Sequence, residues 1–359
     1  MNESRESRFR QIMDGSDRTA SAQLLRTAAA IAEPFYSLAM QWRNHFYDRG
    51  ILPSHPLGRP TVSVGNLTTG GTGKTPIVQW LTRRFVAERQ HPAVLMRGYK
   101  SNSDIGSDEG KLLATGQIPV IADPDRLRGA ASALQKYPRT TVFVLDDAMQ
   151  HRRARRDFEL VLLHAAHPYG YGHVFPRGLL RESIYGLGRA DAVLLTHSSE
   201  SNEQGLQDTI TGVRERHPQT PVFQCDHVIQ AFHPAEGPPI PIEQLSGHRY
   251  FAFCGIGSPQ GFFDGLSKHG GICAGTREFD DHHDYTEADI VSLMTEAKTA
   301  AAEMVITTQK DWVKVGRFAE KFSIPLFWAG LSIRFHADHE EKLWQLMTAK
   351  LPRAEAQRR

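Results

Sequence analysis

The chain has 359 residues, with 42 Lys+Arg set against 40 Asp+Glu for a formal charge of +2, a balance that argues against a nucleic-acid protein working through a broad basic face. Hydrophobic residues make up 40% and charged residues 23%, the composition of a folded globular chain rather than a disordered one, and no apolar run reaches the roughly 18–20 residues of a membrane-spanning helix. Cys225, Cys254 and Cys273 form no C-x-x-C pair, which fits neither a disulfide framework nor a zinc site and makes a reducing cytosol the expected compartment.

Residues 1–18 are polar, lack a signal-peptide apolar core and are expected to be disordered. Over 19–50, Leu24, Ala28, Ile31, Phe35, Leu38, Trp42 and Phe46 recur at three- and four-residue steps, which predicts an amphipathic helical segment. Pro34 marks either a kink or the first turn of a second helix, and Gly50 a stop. Residues 51–220 alternate helical stretches with apolar β-rich runs: TVSVGN from Thr61, AVLMRG from Ala93, PVIAD from Pro119, TVFVLDD from Thr141, FELVLLHA from Phe158 and DAVLLTH from Asp191. Such runs predict a parallel sheet covered on both faces. A strand-like PVFQCDHV and a Pro/Gly-rich stretch make 221–247 an extended linker, and a shorter α/β series fills 248–359. The expected fold class is therefore α/β: a P-loop NTPase-type three-layer α/β/α domain plus a smaller second α/β domain, joined by an extended β linker.

The strongest motif is SVGNLTTGGTGKTP, Ser63 to Pro76, entered by a β-run and left by a helical pattern. Backbone N–H groups of Gly70, Gly71, Thr72 and Gly73 would close around phosphate oxygens at a helix N-terminus, Lys74 would reach the β- and γ-phosphates, and the Thr75 hydroxyl would bind Mg²⁺. Thr68 stands where the usual pattern has its first glycine, and the glycines double at Gly70-Gly71 instead. An ordinary Gly-rich turn is the bland alternative, but strand, glycines, Lys-Thr and helix occur together. TVFVLDD ends in Asp146-Asp147, carboxylates at the end of a buried strand, where a cation offsets their repulsion. ATP or GTP with Mg²⁺ follows from these residues, whereas the phosphoryl acceptor does not.

Other constellations leave two readings open. Arg152, Arg153, Arg155 and Arg156 suit an anionic substrate, a lipid headgroup or a solvated helix end. Asp108-Glu109 suits chemistry or a helix N-terminus. FDDHHDYT packs Asp280, Asp281, His282, His283 and Asp284 into one loop; the spacing is wrong for two histidines on one helical face, and an Asp orienting a His for proton transfer is the better use. GIGSPQG reads as a tight strand-to-helix turn. TTQKDWVK is either a base-holding Lys-Asp turn or surface charge.

Taken in order, GNLTTGGTGKTP, RGY with SDEG, LDDAMQH, FPRGLLRE, GIGSP, DHHDY and TTQKD resemble the tetraacyldisaccharide 4′-kinase family, the lipid A 4′-kinases of Gram-negative bacteria, over about residues 34–335. The resemblance implies transfer of the ATP γ-phosphate to the 4′-hydroxyl of a tetraacylated glucosamine disaccharide 1-phosphate, with Mg²⁺. The enzyme would be peripheral on the cytoplasmic face of the inner membrane, with no nucleic acid and no obligate protein partner. It implies Asp108 as base, with Glu109 beside it and the Asp281-His282 pair working with it. Gly70 to Thr75 would bind phosphate; Asp146 and Asp147 would lie near the metal, followed by Gln150 and His151; and Arg126 and Arg177 or Arg181 would bind substrate. Ala148-Met149 and Gly110 depart from the family's usual residues, which affects local backbone shape rather than charge. The N-terminal helix then has two uses, packing on the kinase domain or docking on a membrane. Rival classes are a partitioning or metal-insertion ATPase or GTPase, disfavoured by Thr69 where a signature lysine would stand, and a nucleotide-regulated membrane adaptor.

Overall fold

The computed structural model describes residues 11–13, 15–69, 72–98, 118–257, 259–281 and 283–352. The chain divides into two units, one built from His227–Ser332 and the other from the chain on either side of it.

The flanking unit carries a sheet of seven strands in the order β7-β6-β5-β1-β4-β2-β3: β1 (Thr61–Asn66), β2 (Pro92–Met96), β3 (Val120–Ala122), β4 (Val142–Asp146), β5 (Phe158–His164), β6 (Ala192–Thr196) and the start of β7 (Val222–Pro234). Every pair is parallel. Both faces are covered, as the continuous apolar runs require. On one face Val62, Val64, Val144 and Leu160 pack with Ile77, Leu81 and Phe85 of α2 (Lys74–Ala87; the helices here run α1, α2 and onward in chain order). On the other, Leu95, Phe143 and Leu145 meet Ala130 and Ala133 of α3 (Arg126–Lys136), while Val161, Val193 and Leu195 meet Ile210 and Val213 of α4 (Glu203–Arg216). β1 lies between β4 and β5, so its carboxyl end opens at the point where the strand order reverses, the usual place for a ligand in such sheets.

The helix α1 (Ala20–Asp48) runs unbroken through Pro34. Its inward side buries the small Ala22 and Ala29 and also makes polar contacts. Tyr36 donates to the Arg181 carbonyl (3.0 Å), Arg43 to the Gln150 carbonyl (2.7 Å) and the Asn44 amide to Glu182 (2.7 Å). Its apolar stripe faces outward: Leu24 and Phe35 are each 71% exposed, Ile31 64%, Leu38 and Trp42 54%. Among the described residues no helix is long and apolar enough to cross a membrane.

The His227–Ser332 unit has β9 (Arg249–Cys254) between β10 (Ile272–Glu278) and β11 (Met304–Thr308), all parallel, with β12 (Leu326–Phe335) parallel to β11 and followed by β7. α5 (Pro259–Ser267) covers one face through Phe262 and Leu266, and α6 (Glu287–Thr299) the other through Ile290 and Leu293. The short α7 (Gln309–Val315) leaves β11 directly, with the Thr308 hydroxyl accepting from the Asp311 amide as its cap.

Within the stretch 221–247, Val222–Gln224 of β7 pair with Val193–Leu195, and Ala231–Phe232 pair antiparallel with Ile240–Pro241, which form β8. One sequence boundary differs from the observed division. The chain from Ile333 onward groups with the phosphate-loop unit and not with 248–332. The reason is apolar burial: Leu343, Trp344 and Met347 of α8 (His339–Lys350) enter the core beside Val62 and Phe85, with the Phe85 and Trp344 rings 5.0 Å apart. In addition, Trp80 donates to Glu340 at 2.9 Å.

Candidate active site

β1 delivers the chain to the phosphate loop under a steric condition. A Cβ on Gly65 would lie 2.6 Å from Met149 Cβ and 2.9 Å from the Met149 amide nitrogen, so only glycine lets β1 pass the turn after β4. Asn66 then organises the loop and the start of α2. Its Nδ2 donates to the buried Thr72 hydroxyl (3.0 Å) and its Oδ1 accepts from Lys74 Nζ (3.2 Å). Gly73 caps α2 at φ +70°, the left-handed conformation that puts Lys74 and the half-buried Thr75 into the first turn. The Thr196 hydroxyl, at the end of β6, donates to the Thr72 carbonyl at 3.1 Å. Gly70 and Gly71 lie outside the described residues.

At the end of β4, Asp146 is buried and Asp147 takes a left-handed φ of +51°. Lys74 Nζ lies 3.6 Å from Asp147 Oδ1, and Arg181 donates to the same oxygen at 2.7 Å. Burial alone would raise the Asp147 carboxyl, but Lys74 and Arg181 outweigh it and hold it below the ordinary carboxylate range. Arg181 also reaches Gln150 Oε1 (3.2 Å), while the Gln150 amide donates to the Asn66 carbonyl (3.1 Å) and Glu182 (3.0 Å). Thus Thr72, Lys74, Asp147, Gln150 and Arg181 converge on one network. Thr75, Asp146 and Asp147 offer hard oxygen donors beside Lys74, a donor set that fits Mg²⁺ and nucleotide phosphates.

The remaining residues sit elsewhere or act differently. Arg126 is only 2% exposed and donates to the Asp123 (3.0 Å) and Asp146 (3.2 Å) carbonyls, so here it supports the carboxylate turn and presents no face to a substrate. His151, in the same turn, is pushed down to about 4 by burial and by Arg126 and Arg156. Arg177 pairs with Glu33 of α1 (3.3 Å) and lines a cavity of about 650 Å³ with Arg26, Tyr171 and His173. In the other unit Asp281 accepts from Lys310 at 2.8 Å. Asp108, Glu109 and His282 lie outside the described residues.

The arginine run is not a helix end, and three of its four side chains are paired, while Arg155 is exposed. Arg152 binds Asp48 (2.6 Å), Arg153 binds Asp125 (3.0 Å), and Arg156 pairs with the buried Glu159 (3.0 Å) and donates to the Ala148 carbonyl. The Asp of TTQKD is no surface charge either: Asp311 is 2% exposed and accepts from the Gly255 amide (3.0 Å), the Tyr285 hydroxyl (2.9 Å) and the Thr308 hydroxyl (2.6 Å). Two residues of the network escape a motif reading. Asn66 sits inside the loop motif but has no place in its pattern, and Glu182 follows Arg181 directly, is 2% exposed, and takes both the Gln150 amide and Arg189 (2.8 Å).

The parallel sheet, the left-handed glycine before Lys74 and the paired aspartates at the neighbouring strand end define a phosphate-loop NTPase-type α/β protein. The chain belongs to the tetraacyldisaccharide-1-P 4′-kinase family, whose model matches residues 24–352. Among its relatives, tetraacyldisaccharide 4′-kinase of Desulfotalea psychrophila is 33% identical over 85% of this chain and 92% of its own. That of Chlorobaculum parvum is 36% identical over 84% and 86%. The crystal structure of LpxK from Aquifex aeolicus in complex with ATP superposes with a TM-score of 0.70 at 26% identity, covering 91% of this chain and 100% of that one.

Proposed function

We propose that the chain is an ATP-dependent kinase that phosphorylates the 4′-hydroxyl of a tetraacyl glucosamine disaccharide 1-phosphate, yielding lipid IVA in lipid A biosynthesis. The observation that carries this reading is Lys74, fixed in the first turn of α2 between Asn66 and Asp147, in a chain that matches the kinase family over 24–352. ATP supplies the phosphoryl group, and Mg²⁺ offsets the charge on its phosphates.

The chain's own residues do the positioning. Thr72 and Gly73 offer backbone N–H groups at a helix N-terminus, which favour an anion. Lys74 moves from Asp147 to phosphate, while Arg181 keeps Asp147 ionised and in place; Thr75, Asp146 and Asp147 would hold the metal. Arg126 and Gln150 act by fixing the turn that presents these carboxylates. A sugar hydroxyl must lose its proton as its bond to phosphorus forms, and Asp108 is the proposed acceptor. If His282→Ala retained wild-type turnover at saturating lipid, His282 would have no part in catalysis. The outward apolar stripe of α1 would seat the enzyme on the cytoplasmic surface of the inner membrane, where a lipid substrate resides.

The deciding experiment incubates the protein with γ-labelled ATP and the disaccharide 1-phosphate lipid and looks for the doubly phosphorylated product. ATP hydrolysis without that product would favour the rival ATPase class, and neither product nor hydrolysis would favour an adaptor.

A further inference from the structure

At the carboxyl ends of β5 and β6, next to the strand that leads into the phosphate loop, lies a constellation that the kinase reaction does not use. His164 ends β5, His197 follows β6, and Glu200 ends the one-turn 3₁₀ helix Ser198–Glu200. One ligand atom from each of the three lies within 4.8 Å of the others. The two imidazoles are stacked, with centroids 4.6 Å apart and planes 9° from parallel, and both face the same carboxylate. His197 Nδ1 is 2.9 Å from Glu200 Oε1, and His164 Nε2 is 3.6 Å from Glu200 Oε2.

We infer that His164, His197 and Glu200 form a binding site for a divalent transition-metal ion, separate from the Mg²⁺ donors at Asp146 and Asp147. Two imidazole nitrogens and one carboxylate are borderline donors that favour Zn²⁺ and its neighbours over Mg²⁺ or Ca²⁺, which take all-oxygen shells. Three protein ligands leave a fourth tetrahedral position to water. With bonds of roughly 2.0–2.2 Å, tetrahedral donors stand about 3.3–3.6 Å apart, so the cluster must tighten by up to about 1.5 Å. That movement is available, because Glu200 is exposed and lies at the end of its short helix. The ion takes the place of the proton between His164 Nε2 and Glu200. The His164 ring proton then moves to Nδ1, giving up the contact from the Ala166 amide, which at 3.3 Å is a long one, and the His197 proton that Nδ1 directs at Glu200 moves to Nε2, so both rings stay neutral. His167, with its ring centroid 5.8 Å from that of His164, borders the cluster but does not belong to it. Thr196, one residue before His197, touches the phosphate loop, so the ion would brace the strand ends behind the nucleotide site.

The chain has 17 histidines, so the test must separate this site from adventitious binding. Tag-free, chelator-stripped full-length protein is titrated with Zn²⁺ in excess Mg²⁺ against a chromophoric chelator, and in parallel with Co²⁺, whose visible bands intensify in a four-coordinate site. One equivalent is expected for the wild type. Glu200→Gln, at an exposed position, and His197→Asn, which tolerates the positive φ at that residue, should each weaken binding by at least about 10-fold without lowering the melting temperature. His248→Gln, at an exposed histidine paired with Glu303, should leave binding unchanged. No stoichiometric Zn²⁺ in the wild type, or equal binding by Glu200→Gln, would overturn the assignment and leave Glu200 as a hydrogen-bond acceptor only.

Discussion

Tyr285→Phe removes one hydroxyl from the centre of the His227–Ser332 unit, and the structure sets its consequence. The Asp311 carboxylate is buried with three donors around it, and Tyr285, itself 1% exposed, supplies one of them at 2.9 Å. The remaining ring still packs against Phe253 and Phe279, so no cavity opens. The loss is that of a hydrogen bond to a charged acceptor, about 2 kcal/mol. Asp311→Ala is worse, because the Gly255 amide, the Tyr285 hydroxyl and the Thr308 hydroxyl are all left without their acceptor, at roughly 1–3 kcal/mol each. The two changes should not add. In the Asp311→Ala background the Tyr285 hydroxyl is already an orphan, so Tyr285→Phe should be neutral or favourable, with a coupling of about 2 kcal/mol. Urea denaturation of the four proteins measures the cycle, and amide exchange at Gly255 reports the local opening. A Tyr285→Phe protein within about 0.5 kcal/mol of wild type, or full additivity in the double variant, would refute the claim that Asp311 ties these loops together.

Lys74→Met should fold normally and lose roughly 10²–10³ in kcat, the effect of removing one charge-stabilising donor, and a smaller loss would show that Lys74 does not meet the transferring phosphate. Gly65→Ala forces a Cβ against the Met149 backbone and should destabilise by about 1–3 kcal/mol while raising the KM for ATP; an unchanged KM would separate the β1 crossing from the loop's shape. His151 has a folded-state value of about 4 against an ordinary 6.5, so as pH falls the unfolded chain takes up the proton first. Its contribution is complete above about pH 6.5 and is lost down to about pH 4, amounting after solvent screening to about 1 kcal/mol between pH 7 and 5. Melting temperatures across that range should fall less steeply in His151→Gln, and an unaltered slope would exclude it as a source. Phe35→Glu with Trp42→Glu, both on the exposed stripe of α1, should abolish sedimentation with anionic vesicles and leave the melting temperature unchanged; undiminished sedimentation would place membrane contact elsewhere.

The parts legible from sequence were those governed by local rules. Apolar runs from Thr61, Thr141, Phe158 and Asp191 became β1, β4, β5 and β6 because strands buried on both faces carry little else. The run GGTGKT sat between a strand and a helix because a helix N-terminus is what receives phosphate. The features that escaped depended on long-range pairing. Nothing within HEEKLWQLMT distinguishes a helix belonging to the nearest strands from one packing on Phe85, more than 250 residues earlier, as the Trp80–Glu340 separation of 260 shows. The buried roles of Asp311 and Glu182 were hidden for the same reason: a carboxylate looks like surface charge until its donors arrive from other elements. For Arg126, a substrate position only by the family resemblance, the surroundings were equally hidden: it is buried and donates to the Asp123 and Asp146 carbonyls.

The helix α1 is where these two kinds of information meet. Its apolar periodicity is plain in the sequence, and an amphipathic helix normally buries that face. Here the large apolar residues face outward, and the polar contacts of the inward side select the phosphate network: Tyr36 holds the carbonyl of Arg181, Arg43 the carbonyl of Gln150, and Asn44 the carboxylate of Glu182. Each of those three partners is one hydrogen bond from the Asp147 network or from Asn66. Removing the helix would therefore strip supports from the site as well as any membrane contact, so a deletion through Gly50 cannot separate the two effects. Substitutions confined to the outward stripe can. The helix also links the phosphate network to the stripe, so on the proposed membrane docking a surface contacting Leu24, Phe35 and Trp42 would set the direction from which a lipid-borne hydroxyl approaches the loop.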